Sequence, residues 1–263
     1  MNGGIGGSIL TSLFNRIASF VSRRILYSGP YSIECPICHF VGRFKPFGLV
    51  PRSNAVCPKC GSLERHRLLC LALHERPLLS EADRVLHFAP EPCLSGIIRD
   101  KSASYQSADC KPQPGSIPLN IENIALPSSS VNVVIANHVL EHVDDEAALE
   151  EIKRILTPGG RLIAMVPIVE AWEHTYEDPQ ITQKPDRERH FAQSDHVRFY
   201  GRDFRERICS HGFDLEEFQA DGPRSAQYGL NRGECVFIAC KTERSGSGER
   251  DPQSMAHFAL TAR

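Results

Sequence analysis

The chain has 263 residues, of which 41% are hydrophobic and 24% are charged. This composition is ordinary for a soluble globular protein and excludes a disordered or fibrous chain. At roughly 150 residues per domain, the length corresponds to one large domain with a small appendage. The formal net charge of -2 favours no particular partner. Residues 1–83 carry ten basic against five acidic side chains, which permits a polyanion at this end of the chain without requiring one.

The first predicted segment, residues 1–27, begins with a Gly-rich stretch. Within residues 8–27, apolar side chains recur at helical spacing beside three arginines, which predicts an amphipathic basic helix. Such a helix either packs on this protein or a second subunit, or makes peripheral contact with an anionic membrane surface. The arginines follow the apolar residues instead of preceding them, unlike a signal peptide. Together with the scattered cysteines described below, this predicts a cytoplasmic protein.

Four of the ten cysteines form two Cys-x2-Cys pairs, Cys35 with Cys38 and Cys57 with Cys60, separated by 18 residues. Each pair supplies two thiolates from one tight bend, and zinc prefers four such ligands in a tetrahedron. A site closed by four thiolates has a structural role. We therefore predict a zinc ribbon over residues 28–62; a redox dithiol and a lost metal site remain the alternatives. The other six cysteines are scattered singly, as expected of reduced thiols.

The main domain is predicted over residues 63–242, with a leading helix at 63–79 and a disordered, low-complexity tail at 243–263. Short apolar runs typical of strands occur at 84–88, 104–107, 117–120, 131–136, 161–166, 213–218 and 235–240. Helical stretches separate several of them, at about 93–101, 145–156 and 201–211. Alternating strands and helices predict an α/β fold with a mostly parallel sheet covered on both faces. The final strand pair is predicted to close the sheet edge in antiparallel fashion.

The second predicted strand ends in Asp109, about 20 residues after the first strand-to-helix turn. In nucleoside-binding α/β folds, an acidic side chain at this spacing holds ribose hydroxyls. After the fourth strand comes HVLEHV at 138–143, followed by RILTPGG at 154–160 and RLIAMVP at 161–167. These motifs resemble class I S-adenosylmethionine-dependent methyltransferases of the small-molecule (type 11) kind. The resemblance covers about residues 84–241.

This resemblance implies a Rossmann-like, seven-stranded sheet whose last strand is antiparallel, and S-adenosylmethionine as the cofactor. The combination of CPKCGSLERHRLL, LHFAPEP and SDHVRFYGRDF also resembles a bacterial subgroup of methyltransferase-like proteins with an N-terminal zinc knuckle. Carried over by position, the implied cofactor-binding residues are His87, Ala89, Glu91, Asp109, Asn120, Ile121 and Asn137.

One motif departs from the family pattern. The family has a Gly-rich turn after the first strand, whereas this chain has His87-Phe88-Ala89-Pro90-Glu91-Pro92. Side chains and two prolines would narrow the approach of the cofactor to the backbone. Either the site is rebuilt, with Glu91 facing the cofactor ammonium, or the fold has lost cofactor binding. Asn120 stands where the family usually has an acid facing adenine, and its side chain can still bind an exocyclic amine.

Three histidines are the candidate catalytic residues. His138 follows the fourth predicted strand. The resemblance implies that the loop at this position faces the cofactor and the substrate. His190 and His196 lie in the 34-residue connection 168–201, which is long enough to predict a functional lid. Histidine can act as a general base near neutral pH without a perturbed pKa. A metal site, substrate contact and a plain solvated loop are the alternatives for this connection.

The leading hypothesis is a zinc-stapled methyltransferase that acts on a small-molecule or saccharide-type acceptor. Because zinc ribbons precede some RNA methyltransferases, RNA methylation with the ribbon as RNA-binding element is the first alternative. A non-catalytic, methyltransferase-like binding protein is the second, because the glycines of the cofactor turn are missing.

Overall fold

The computed structural model describes residues 32–48, 50–111 and 113–242. The predicted amphipathic helix and the predicted disordered tail lie outside these residues, as does any membrane contact through residues 8–27. In the described ranges, no helix combines the length and the apolar character needed to cross a membrane.

The described elements follow one another in a regular order. The strands are β1 Ile33–Glu34, β2 Val41–Gly42, β3 Lys45–Phe47, β4 Arg52–Val56, β5 Arg84–Phe88, β6 Ser104–Asp109, β7 Ser116–Pro118, β8 Val131–Asn137, β9 Leu156–Met165, β10 Tyr176–Glu177, β11 Arg198–Phe199, β12 Phe213–Gln219 and β13 Cys235–Lys241. The helices are α1 Glu64–Glu75, α2 Pro92–Asp100, α3 Asp145–Ile155, α4 Lys184–Phe191, α5 Phe204–Ser210 and α6 Gly222–Tyr228, with a 3-10 turn at Leu140–His142.

A seven-stranded sheet has the order β12-β13-β9-β8-β5-β6-β7. Neighbouring strands from β9 to β7 are parallel, and β13 is antiparallel to both of its neighbours. The predicted fold class is therefore confirmed, including the antiparallel last strand. The strands of the cysteine-rich segment stand apart as two small antiparallel pairs, β1 with β2 and β3 with β4.

Strand β8 shows why an uninterrupted apolar run forms the centre of this sheet. Its side chains alternate between two buried clusters. Val133 and Ile135 join the cluster that contains the apolar residues of α1 and α2. Val134 and Ala136 join the cluster that contains those of α3 and α5. Because helices cover both faces, both sets of alternating positions must be apolar.

Strand β9 begins at Leu156, five residues earlier than the sequence pattern predicts. The extra residues include Pro158 and Gly159, which look like a turn in the sequence. Gly159 adopts a φ of +69°, and the pairing with β8 shifts register between Val131 and Val133. This irregularity lets the chain pass from helix α3 into the strand without a separate loop, as bulges do.

Candidate active site

A cleft of about 660 Å³ lies at the carboxyl ends of β5, β6 and β8. Strands β5 and β8 are neighbours from which the chain proceeds in opposite directions across the sheet, and open α/β sheets bind ligands at such a point. The volume is within the range of small-ligand sites. Four of the predicted cofactor residues line this cleft: Ala89, Asp109, Asn120 and Ile121.

The two polar residues among these four keep hydrogen-bonding capacity for a ligand. One oxygen of Asp109, Oδ1, accepts a hydrogen bond from the backbone N–H of Lys111 at 2.8 Å. The Oδ1 atom of Asn120 accepts one from the backbone N–H of Glu122 at 3.1 Å. A carboxylate has about four acceptor positions, so Asp109 retains acceptor capacity toward the cleft.

The turn after β5 has a glycine-like backbone although it contains no glycine. Ala89 adopts a φ of +47°, in the left-handed region that side chains other than glycine rarely enter. Its N–H donates to the carbonyl of Ala108 at 2.9 Å, so the end of β6 holds the strained residue in place. Strain of this kind costs about 1–3 kcal/mol and clusters at functional sites.

Three further predicted cofactor residues form a hydrogen-bonded network with one another. The Glu91 carboxylate lies 2.9 Å from His87 Nε2 and accepts from Asn137 Nδ2 at 3.1 Å. His87 Nδ1 lies 3.1 Å from the hydroxyl of Tyr105. Burial alone would raise the pKa of Glu91, but the hydrogen bond and charge of His87 outweigh it and lower that pKa. The network ties β5, β6 and β8 together beneath the turn.

A second pocket, of about 210 Å³, lies beyond the carboxyl end of β9 and is lined in part by His138, Met165 and Glu234. His138 also lines the larger cleft, so one imidazole separates the two spaces. Its backbone φ is +53°, and its N–H donates to the carbonyl of Met165 at 2.7 Å. Its Nδ1 lies 3.2 Å from Glu141 Oε1. The buried Nε2 atom has no hydrogen-bond partner among the described residues.

Glu234 is a candidate functional residue that the sequence reasoning missed. Burial raises its pKa to about 7, and the repulsion of Glu64 acts in the same direction. The positive charge of His138, Arg65 and Arg52 opposes this shift. Its buried Oε2 atom has no partner in the described part of the chain. The only sequence signal is an acid placed between Gly233 and the apolar strand CVFIAC.

The long connection between β9 and α5 contributes one wall of the larger cleft. Thr182, Lys184, Arg187, Ser194 and Asp195 line that wall. That the connection acts as a lid stays a prediction.

The two lid histidines occupy different surroundings. Nδ1 of His190 lies 2.7 Å from the hydroxyl of Tyr176. The ring of His196 is buried against that of His142, with centroids 4.6 Å apart. Burial, followed by the charge of His142, lowers the pKa of His196. The structure therefore brings His138 to the cleft, whereas His190 packs on the aromatic surface of the lid.

The four paired cysteines converge. Sγ of Cys35 lies 3.6 Å from Sγ of Cys60, and Sγ of Cys38 lies 3.6 Å from Sγ of Cys57. Tetrahedral zinc with bonds of about 2.3 Å separates its sulfur ligands by about 3.8 Å, so the donor set and spacing fit this ion. In each knuckle, the residue after the second cysteine has a positive φ and donates its N–H to the carbonyl of the first cysteine.

Comparison with known proteins gives one match to a family model. Residues 98–164 match the family model described as a methyltransferase domain, and they run from α2 through β9 of the sheet. Over these 67 of its 263 residues, the chain is similar to the methyltransferase domain family. This match supports the interpretation of the chain as a methyltransferase-type enzyme. A search of curated proteins gave no significant match.

Three solved structures illustrate the similar arrangement of the fold. The YcgJ protein of Bacillus subtilis is 14% identical, with 68% of this chain and 99% of that chain covered and a TM-score of 0.46. An S-adenosylmethionine-dependent methyltransferase of Mesorhizobium loti is 13% identical, with 66% and 98% covered and a TM-score of 0.47. The 1,6-didemethyltoxoflavin-N1-methyltransferase of Burkholderia thailandensis, solved with that compound and S-adenosylhomocysteine, is 14% identical, with 67% and 76% covered and a TM-score of 0.43.

The glycine-free turn after β5 is held in its left-handed backbone shape by its surroundings. The left-handed Ala89 is fixed by β6, and Glu91 is fixed by His87 and Asn137. The prediction that Glu91 faces the cofactor ammonium stays a prediction. In the structure, its two carboxylate oxygens are engaged by protein donors.

Proposed function

We propose that the 660 Å³ cleft binds S-adenosylmethionine and that the 210 Å³ pocket receives a small-molecule or saccharide-type acceptor. The observation that carries this proposal is the position of His138, which lines both spaces. Methyl transfer requires alignment of acceptor and methyl donor, and positioning supplies much of the rate. Two pockets that meet at one side chain provide that alignment.

On the cofactor side, we assign the ribose to Asp109 and the adenine to Asn120 and Ile121. The unused acceptor positions of Asp109 support the first assignment, and the lining of the cleft supports the others. Bound there, S-adenosylmethionine supplies an activated methyl group. Ala89 has a small side chain at the turn, and a larger side chain there would reduce the volume of the cleft. His87 and Asn137 act indirectly in this proposal, because they hold the turn through Glu91.

On the acceptor side, we assign Glu234 as the base that takes the proton of an acceptor hydroxyl or amine. A base is most effective when its pKa lies near the working pH, and burial brings the pKa of Glu234 to about 7. His138 lines the same pocket, where its side chain would contact and orient the acceptor. His190 and His196 remain lid residues, with His196 placed closer to the cleft through its contact with His142.

Calorimetric titration with S-adenosylmethionine and S-adenosylhomocysteine tests the cofactor assignment. Asp109→Ala should weaken binding by about 1.5–3 kcal/mol, the contribution of hydrogen bonds to a charged group, which is roughly 10- to 150-fold. Asp178→Ala, an acidic side chain elsewhere in the lid connection, serves as the control. Absence of binding by the folded wild type would favour the non-catalytic alternative. Salt-dependent binding of RNA would favour the RNA methyltransferase instead.

We further propose that Cys35, Cys38, Cys57 and Cys60 hold one structural zinc ion and that the protein is cytoplasmic. The sulfur spacing supports the first proposal. The ten free thiols support the second, because such cysteines persist in reducing compartments. Elemental analysis of protein purified without chelator should give at least one zinc per chain, and a value near zero would contradict the zinc assignment.

A further inference from the structure

Three potential metal ligands lie close together at the end of β8, where residues near the end of the 168–201 connection contact the turn after this strand. Glu141 and His142 lie on the 3-10 turn directly after β8. His196 lies more than fifty residues later, just before β11. One ligand atom from each residue lies within 4.8 Å of the other two. The imidazole rings of the two histidines meet edge to face.

Two of these residues have buried polar atoms without a hydrogen bond. Glu141 is 1% exposed and His196 is 4% exposed. Glu141 Oε2 and His196 Nδ1 both lack a partner among the described residues. A buried, unsatisfied polar atom costs about 1–3 kcal/mol, and more when it is charged. Two such atoms in one cluster indicate that a group which satisfies them belongs there.

The charges around the cluster are compatible with a cation. His138 Nδ1 contacts the other oxygen of Glu141, and Asp195 Oδ2 lies 3.6 Å from His142 Nδ1. Arg198 donates to the carbonyls of Leu140 and Val143 on this turn. Its positive charge is balanced by Asp145 at 3.2 Å and Glu177 at 2.7 Å.

We propose that Glu141, His142 and His196 bind one divalent transition-metal ion, separate from the four-cysteine site. Two histidines and one carboxylate are a donor set that suits Zn²⁺ or Fe²⁺ and leaves coordination positions open. The site is reachable because His142 is about a quarter exposed. His142 also borders both the 660 Å³ cleft and a neighbouring groove of about 550 Å³.

Cobalt binding to the full-length, zinc-loaded protein tests this proposal without any enzymatic assay. Co²⁺ is a spectroscopic substitute for Zn²⁺, and bound through nitrogen and oxygen ligands it gives weak visible bands without sulfur charge-transfer absorption. We expect one equivalent to bind to the wild type. Because loss of an outer partner of a metal ligand already costs 10- to 100-fold in affinity, Glu141→Gln and His142→Ala should each weaken Co²⁺ binding by more than about 100-fold.

His174→Ala is the matched control, because it removes an exposed imidazole from the same connection. It should bind Co²⁺ like the wild type. Circular dichroism of every variant checks that the fold is intact. The side chain of His142 is partly exposed, so His142→Ala removes few buried contacts and should fold normally. The proposal is overturned if the wild type binds no Co²⁺ at millimolar concentration, if the two variants bind it unchanged, or if the bands show sulfur ligation. Cofactor calorimetry is independent of all three outcomes.

Discussion

Replacement of Arg67 by methionine should destabilise the protein more than any surface substitution. Arg67 is fully buried in α1. Its guanidinium donates to the carbonyls of Ala55 and Ser62, each at 2.9 Å, in the cysteine-rich segment. It also donates to the carbonyls of Tyr228 and Gly229, at 2.7 and 2.6 Å, at the end of α6. One side chain of α1 therefore joins the cysteine-rich segment to the end of α6.

The expected loss of unfolding free energy follows from these four hydrogen bonds. A hydrogen bond to a charged group contributes about 1.5–3 kcal/mol, and a buried carbonyl left without a donor costs about 1–3 kcal/mol. Methionine recovers part of this loss, because it fills most of the volume and needs no desolvation. Burial also lowers the pKa of Arg67, which shows that its charge is costly to bury. Disruption of a buried charged network typically costs 3–5 kcal/mol, and we expect about that loss for Arg67→Met.

Urea unfolding followed by circular dichroism measures this loss, and a chromogenic chelator reports zinc release along the same titration. The variant should unfold at lower urea and release zinc earlier than the wild type, because two of the lost bonds hold the cysteine-rich segment. Arg76→Met, at the exposed end of the same helix, should change stability by less than about 0.5 kcal/mol. If Arg67→Met unfolds within 1 kcal/mol of the wild type, the four bonds do not have the role assigned to them.

Three other changes give distinct outcomes. Cys57→Ser should release zinc and loosen the cysteine-rich segment, because a structural site contributes folding free energy directly; elemental analysis and limited proteolysis would show both effects. Ala89→Gly should raise the free energy of unfolding by up to about 1 kcal/mol, because relief of the left-handed strain slightly exceeds the entropy cost of glycine. Glu234 has a folded pKa of about 7 against an ordinary 4.5, so it binds a proton more tightly when folded, and its contribution to stability declines between about pH 4.5 and 7. Glu234→Gln should flatten that decline in urea midpoints, whereas an unchanged pH profile would mean that Glu234 is not buried as described.

The most buried strands could be predicted because a strand covered on both faces is apolar at nearly every position. The run at 131–136 and the run at 235–240 both became central strands. The start of β9 was harder to predict, because Pro158 and Gly159 normally mark a turn. Here they lie inside an irregular strand whose pairing with β8 overrides that local preference.

The cleft residues were predictable for a different reason, since Asp109 and Ala89 stand at strand ends in a regular order. Glu234 and the cluster around Glu141 were not. Glu234 reaches its pocket from the start of the last strand, and its raised pKa is a property of burial that no spacing reveals. His196 meets His142 only because the lid folds back over the turn after β8. Contacts between distant parts of the chain leave no local pattern.

The glycine-free turn changes how cofactor binding should be understood. A Gly-rich turn permits close approach but must be ordered, since glycine loses more conformational freedom than any other residue. Here Pro90 and Pro92 restrict the backbone on both sides of Glu91, whose carboxylate is held by His87 and Asn137. A turn fixed before binding avoids that ordering cost. In the proposed cofactor site, the strain at Ala89 is then part of a preorganised turn, and loss of the network around Glu91 should weaken cofactor binding even though none of its hydrogen bonds needs to reach the cofactor.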